Sequence, residues 1–355
     1  VCLNILYNVG AKDEDEDKTG FAHLFEHLMF GGSVNIPNYD EPLQIVGGEN
    51  NAFTTNDITN YYCTVPPENI ETAFWLESDR MLSLAFTDKS LEVQRSVVIE
   101  EFKQRYLNQP YGDVWLLLRP LAYKTHPYKW ATIGKEISHI ENATMHDVKD
   151  FFKKHYHPAN AIMVVAGDIE LERVKELSLK WFEPIENQIK IERKLPIEPK
   201  QTEARKLTVE RDVPTSAIYK AYHMCARTDI EYHTIDLISD ILSRGNSSRL
   251  YKNLIKDKKL FIDINAYVMG DFDKGLFVIS GKLADGVKME DAEKGIEEEL
   301  NEIKNNLVSE IELQKCKNKI ESTVTFSEMD VLTKATNLAI SELLGDANLI
   351  NKEIE

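Results

Sequence analysis

Two histidines and a glutamate fall within five positions of one another in the stretch TGFAHLFEHLMFGGS, residues 19–33. If the run from Thr19 to Phe30 is helical, His23 and His27 lie one turn apart on one face, the arrangement that lets two imidazoles reach a single metal ion. Glu26 lies beside His27, where a carboxylate could accept a proton from a water polarised by that ion. Thr19 is the expected cap of this helix, and Gly31 with Gly32 its stop signal. Zinc chemistry of this kind needs a third protein ligand and one open position. The helical segment LEVQRSVVIEEFKQRY offers Glu92, Glu100 and Glu101, among which periodicity alone does not choose.

The elements that must position these residues alternate along the chain. VCLNILYNVG reads as a strand, residues 19–30 as a helix and NAFTTNDITNYYCTVP as a hairpin; helical patterns follow in ENIETAFWLESDRMLSL and DKSLEVQRSVVIEEFKQRYL. A buried strand, NAIMVVAGDI, closes the block. Residues 184–206 carry three prolines and dense charge without apolar periodicity, and read as a linker. Beyond it the order recurs: TSAIYKAYHM answers the first strand, YHTIDLISDILSRGNSSRLYKNL the first helix, and FIDINAYVMGDFDKGLFVISGKL the hairpin, with two helices after them. The expectation is an α+β chain of two homologous domains, 1–183 and 207–355, each a mostly antiparallel sheet packed with helices. The second copy stops near the point equivalent to residue 140 of the first, so it is expected to be truncated.

With 355 residues and 43% hydrophobic content, the chain can build two ordinary cores. A formal net charge of -17 argues against nucleic acid as a partner. The acidic excess would suit basic peptides or plain solubility, and the run KDEDEDK at 12–18 reads as a solvated face. Cys2, Cys63, Cys225 and Cys316 are dispersed, which points to neither a thiolate metal site nor a disulfide framework. No apolar run approaches the roughly 20 residues of a membrane span. The opening VCLNILYNVGA lacks the basic segment and cleavage site of a signal peptide, so the chain is read as a mature form or a fragment.

HxxEH is the inverse of the HExxH zinc motif, and with it the chain resembles the pitrilysin/insulinase metallopeptidases, including bacterial proteins like the mitochondrial processing peptidase. The resemblance extends over nearly the whole chain, through GGENNAFTTNDITNYY, QRSVVIEEF and HPANAIMVVAGDI. It implies a zinc endopeptidase in which His23, His27 and a distal glutamate bind Zn2+ and Glu26 is the general base. The family's distal ligand lies six residues after an arginine preceding a Val-Val pair; Arg95 places it at Glu101, 74 residues after His27, with Glu100 the fallback. Where relatives often carry a supporting glutamate seven residues earlier, this chain has Gln94.

The resemblance also implies that Asn51, Ala52, Phe53 and Thr54 form an edge strand that holds an extended peptide by its backbone. Self-sufficient members carry an arginine and a tyrosine seven residues apart after the SSRLY helix; here Ile255 and Ile262 stand at those positions. The expected partner is therefore a homologous chain that supplies the Arg/Tyr pair, the two closing like a clam on unfolded peptides. A non-catalytic scaffold or peptide-binding member of the family is the rival. His155 and His157 are read as part of a helix-to-strand turn. Family habit implies a Gram-negative periplasm, with the cytoplasm as the alternative.

Overall fold

The computed structural model describes residues 1–187 and 192–352. The chain divides into two compact units, one of Val1–Ala204 together with Phe326–Glu355, the other of Arg205–Thr325. No helix among the described residues is long and apolar enough to cross a membrane.

In the first unit, strands β1 (Cys2–Tyr7), β2 (Glu49–Thr54), β3 (Thr59–Thr64) and β4 (Ala161–Ala166) form an antiparallel sheet in the order β2-β3-β1-β4. Its helices are α1 (Phe21–Leu28), α2 (Asp40–Ile45), α3 (Ile70–Leu82), α4 (Asp88–Phe102), α5 (Val114–Ala122), α6 (Ile137–Glu141), α7 (Met145–His155) and α8 (Leu171–Trp181). The β2–β3 turn is fastened by Thr55, whose hydroxyl accepts the N–H groups of Asp57 and Ile58, each at 3.1 Å. The second unit contains β5 (Ala217–His223), α9 (Tyr232–Ser243), β6 (Phe261–Met269), β7 (Leu276–Leu283), α10 (Met289–Asn305) and α11 (Glu310–Ser327). Its sheet order, β5-β7-β6, repeats β1-β3-β2, so the α+β class and the duplicated hairpin topology are as expected.

The C-terminal boundary differs from the sequence reading, which gave 207–355 to the second domain. Helix α12 (Val331–Leu343) packs on β1 and β4 of the first unit. The reason is visible in β1, where Leu3, Ile5 and Tyr7 enter the main core while Cys2, Asn4 and Leu6, on the opposite face, are buried too. A strand buried on both faces needs a second cover. The fully buried Ala335 and Ala339 let α12 come close to the sheet, and Thr336 donates to Asn4 Oδ1 at 3.4 Å.

The linker expected at 184–206 is tied down where it is described; residues 188–191 lie outside the described residues. Arg193 pairs with Asp13. The Glu198 carboxylate accepts the backbone N–H groups of Lys124, Thr125 and His126 at 2.8, 2.8 and 2.9 Å. Its dense charge anchors the segment.

Two buried polar groups hold α1. Thr19 is not its cap: the N-cap is Gly20 at φ 88°, where a Cβ would meet Ile133 O at 2.7 Å. Capping comes instead from Glu14, which accepts the N–H groups of Gly20 at 2.9 Å and Ala22 at 2.8 Å. Glu14 is buried and belongs to the run read as a solvated face, as does Lys12, whose ammonium meets Asp57 Oδ1 at 2.7 Å. Below the helix, Arg80 and Glu77 form a fully buried pair, with Nε–Oε2 at 2.9 Å and Nη2–Oε1 at 2.6 Å. The guanidinium stacks on Tyr61, Tyr39 and Phe30, with ring centroids at 4.4, 4.6 and 5.5 Å. Because Phe30 follows α1 and Tyr61 lies on β3, this cluster fixes the helix against the sheet.

Candidate metal centre

Within α1, Phe21, Ala22, Leu24, Phe25 and Leu28 are buried, and the remaining residues, His23, Glu26 and His27, are only partly so. A helix with so broad an apolar face leaves one narrow strip outward, and the chemically active side chains occupy all of it. The i,i+4 spacing sets the two imidazoles side by side, ring centroids 4.8 Å apart and nearly perpendicular at 85°.

Helix α4 packs beside α1 and brings a carboxylate to that strip. Glu101 Oε2 lies 3.6 Å from His23 Nε2 and 3.4 Å from His27 Nε2. Among the described residues, His23, His27 and Glu101 form the one group of three or more His, Cys, Asp or Glu whose ligand atoms lie within 4.8 Å of one another. The other carboxylates left open by the sequence point elsewhere: Glu92 pairs with Arg95 at 2.5 Å and Glu100 with Lys103 at 2.8 Å. The Gln94 side chain makes no hydrogen bond to another described residue.

The donor set can be tested against zinc. A four-coordinate ion with ligands at ~2.0–2.1 Å separates its ligand atoms by about 3.3–3.4 Å. The two Glu101 separations are close to that edge and long for hydrogen bonds. Burial pulls His23 down to about 4, so at neutral pH its ring is uncharged and its lone pair available. His27, with His23 and Arg105 adding to it, holds the Glu101 carboxyl below the usual range although burial opposes them. Two imidazoles and one carboxylate suit Zn2+, and the residues fit the ion.

Glu26 stands next to this group without belonging to it. Its Oε2 accepts the Thr54 hydroxyl at 2.5 Å, which ties the helix to β2. Burial pushes the Glu26 carboxyl above its ordinary range, and the Thr54 and His27 side chains pull it partly back. Thr54, expected to help hold the peptide backbone, also engages the expected base through its hydroxyl. Asn51, Ala52 and Phe53 lie on β2, which among the described residues pairs on one side only, with β3. Asn51 Oδ1 covers the Ala52 N–H at 2.8 Å, so a docking strand would have to displace that side chain.

His155 is buried, with burial pulling it down to about 3, and His157 Nε2 contacts Lys154 O at 3.2 Å; neither joins a ligand group. Arg105 escaped the sequence reading. Its Nη1 lies 2.9 Å from Glu101 Oε1, the oxygen turned away from the imidazoles. The signal was available, since position 105 is four residues beyond 101 and oppositely charged.

Residues 1–132 match the family model "Insulinase (Peptidase family M16)" and residues 142–320 the model "Peptidase M16 inactive domain". The chain is 33% identical over 322 residues to the zinc protease PqqE of Helicobacter pylori, covering 89% of this chain and 72% of that one. It is 28% identical over 183 residues to the mitochondrial-processing peptidase subunit beta of Saccharomyces cerevisiae, covering 51% of this chain and 39% of that one. A crystal structure of a protease from Helicobacter pylori superposes with a TM-score of 0.90 at 29% identity, covering 99% of this chain and 85% of the other.

Proposed function

The chain belongs to the insulinase-type M16 peptidase family, several of whose members are named zinc proteases, and on that premise we propose that it is a zinc endopeptidase of unfolded peptides. His23, His27 and Glu101 would hold the ion. The observation that carries the reading is the convergence of these three side chains with Glu26 alongside and outside the ligand set.

Bound zinc supplies a Lewis acid and lowers the pKa of a coordinated water. The chain's own residues do the rest. Thr54 occupies Glu26 Oε2, so Oε1 is the oxygen that takes the proton of the attacking water. That proton passes to the amine nitrogen as the C–N bond breaks and the water oxygen stays on the carbonyl carbon. The open edge of β2, with Asn51, Ala52 and Phe53, holds the peptide as an added strand. Backbone pairing tolerates many sequences but requires an extended chain, which is why the substrate is unfolded.

The second unit has isoleucines at the two positions where the resemblance implies the oxyanion donors of self-sufficient members. Ile255 packs on that unit's core and Ile262 is 60% exposed, and an aliphatic side chain donates no hydrogen bond. A homologous chain bearing the Arg/Tyr pair is therefore the proposed partner; the yeast relative is itself named as a subunit. The second reading, a non-catalytic scaffold, is favoured by those same isoleucines and by the inactive-domain match over 142–320.

Cleavage of an unstructured fluorogenic peptide by the zinc-loaded chain, alone and mixed with an Arg/Tyr-bearing homologue, separates the two. Slow turnover alone and about a hundredfold gain with the homologue is expected. Equal rates with and without it would remove the partner. No cleavage with any homologue would leave the scaffold.

A further inference from the structure

The stretch of α4 that reaches the candidate metal centre does not end as an α-helix. Residues Lys103–Leu107 form a π turn, closed by a hydrogen bond from Asn108 N to Lys103 O at 2.8 Å. Such widened turns recur at functional sites because they redirect side chains that a regular helix would place elsewhere. Here Tyr106 turns inward, its ring 5.6 Å from that of Phe102, and Arg105 turns out, 69% exposed.

Arg105 forms an ion pair with Glu101, Nη1 to Oε1 at 2.9 Å, and among the described residues it has no other hydrogen-bond or ion-pair partner. Of the acids near it, Glu100 is matched by Lys103, and Glu26 lies close enough to feel the Arg105 charge. One turn to the other side of Glu101, Val97 is 44% exposed. The helix thus presents an apolar side chain before the ligand and a cation with spare donors after it. The -17 net charge of the chain does not cancel this locally, because screening at physiological ionic strength extends only about 8 Å.

We infer that Arg105 is a specificity-determining residue, its guanidinium pairing with a carboxylate of the bound peptide next to the bond that is cut. The inference rests on the peptidase reading above. The carboxylate can come from an acidic side chain or from the peptide's own C-terminus, two sources with the same chemistry.

The test is binding, read by fluorescence anisotropy on zinc-loaded Glu26→Gln protein, so that no turnover is needed. One peptide series carries a single Glu or Gln walked through successive positions with both termini blocked; another compares a free C-terminal acid with its amide. At one position the acid is expected to bind roughly five-fold more tightly than its neutral counterpart. That ratio should fall to about one in Glu26→Gln/Arg105→Ala, persist largely in Arg105→Lys, and shrink as salt is added. Which series shows it identifies the source of the carboxylate.

A ratio of one in the parent protein, or a ratio untouched by Arg105→Ala, overturns the inference while the peptidase reading stands on the neutral peptides' binding. Loss of zinc from Arg105→Ala also overturns it, since the residue would then only position Glu101. If neither acidic nor neutral peptides bind, with or without the Arg/Tyr-bearing homologue present, the peptidase reading falls together with it.

Discussion

Replacing Glu26 by Gln is expected to lower kcat for peptide hydrolysis about a thousandfold while bound zinc and the unfolding midpoint stay unchanged. The substitution keeps the shape, and its amide oxygen still accepts the Thr54 hydroxyl now 2.5 Å from Glu26 Oε2. What disappears is the oxygen able to take a proton. Because Glu26 stands outside the group formed by His23, His27 and Glu101, the metal ligands are untouched. Turnover and zinc content, measured on one preparation, check this. Unchanged turnover would remove Glu26 as the base, and a parallel loss of zinc would make it a ligand or a prop for one.

The second large effect concerns stability. Glu77→Ala is expected to cost about 3–5 kcal/mol, because it strands the Arg80 guanidinium, 1% exposed, without its counter-ion. It also removes the acceptor of the Tyr39 hydroxyl at 2.5 Å and of the Cys63 thiol at 3.2 Å. The double variant Glu77→Leu/Arg80→Met is expected to lose less than Glu77→Ala alone, since no buried charge is left over. Urea-unfolding midpoints of the three proteins check the order. If Glu77→Ala shifted the midpoint no more than an exposed control such as Glu172→Ala, the pair would hold nothing together. Since Arg80 stacks between Phe30 and Tyr61, the same variant should loosen α1 and weaken zinc retention.

How much of this was legible in the sequence depended on how local each signal is. The strip His23, Glu26, His27 is written in i,i+3 and i,i+4 spacings, and a helix converts that spacing directly into a shared face. The hairpin β2–β3 was readable for the same reason, its Thr and Tyr residues bounded by a turn. Glu100 and Glu101 were not separable from pattern, because neighbours on a helix point about 100° apart and only tertiary packing decides which faces α1. The choice came from resemblance, and the structure turns Glu100 toward Lys103 and Glu101 toward the imidazoles.

Non-local partners were the blind spot. Glu14 sits in a run of acids that composition assigns to solvent, yet it is buried against the start of α1. Nothing in the run marks that member. Helix α12 follows the second copy in sequence and so was assigned to it, whereas the two-sided burial of β1 draws it to the first unit. The unalternating run VCLNILY hinted that both faces of this strand are covered, without saying by what.

The most direct measurement is bound zinc per chain, by elemental analysis of protein purified without chelators, beside His27→Ala. About one zinc per chain, falling to near zero in His27→Ala, is the expected result for a site built from His23, His27 and Glu101. A chain that holds no zinc even after reconstitution, or one that keeps it in His27→Ala, would contradict the metal centre and with it the peptidase.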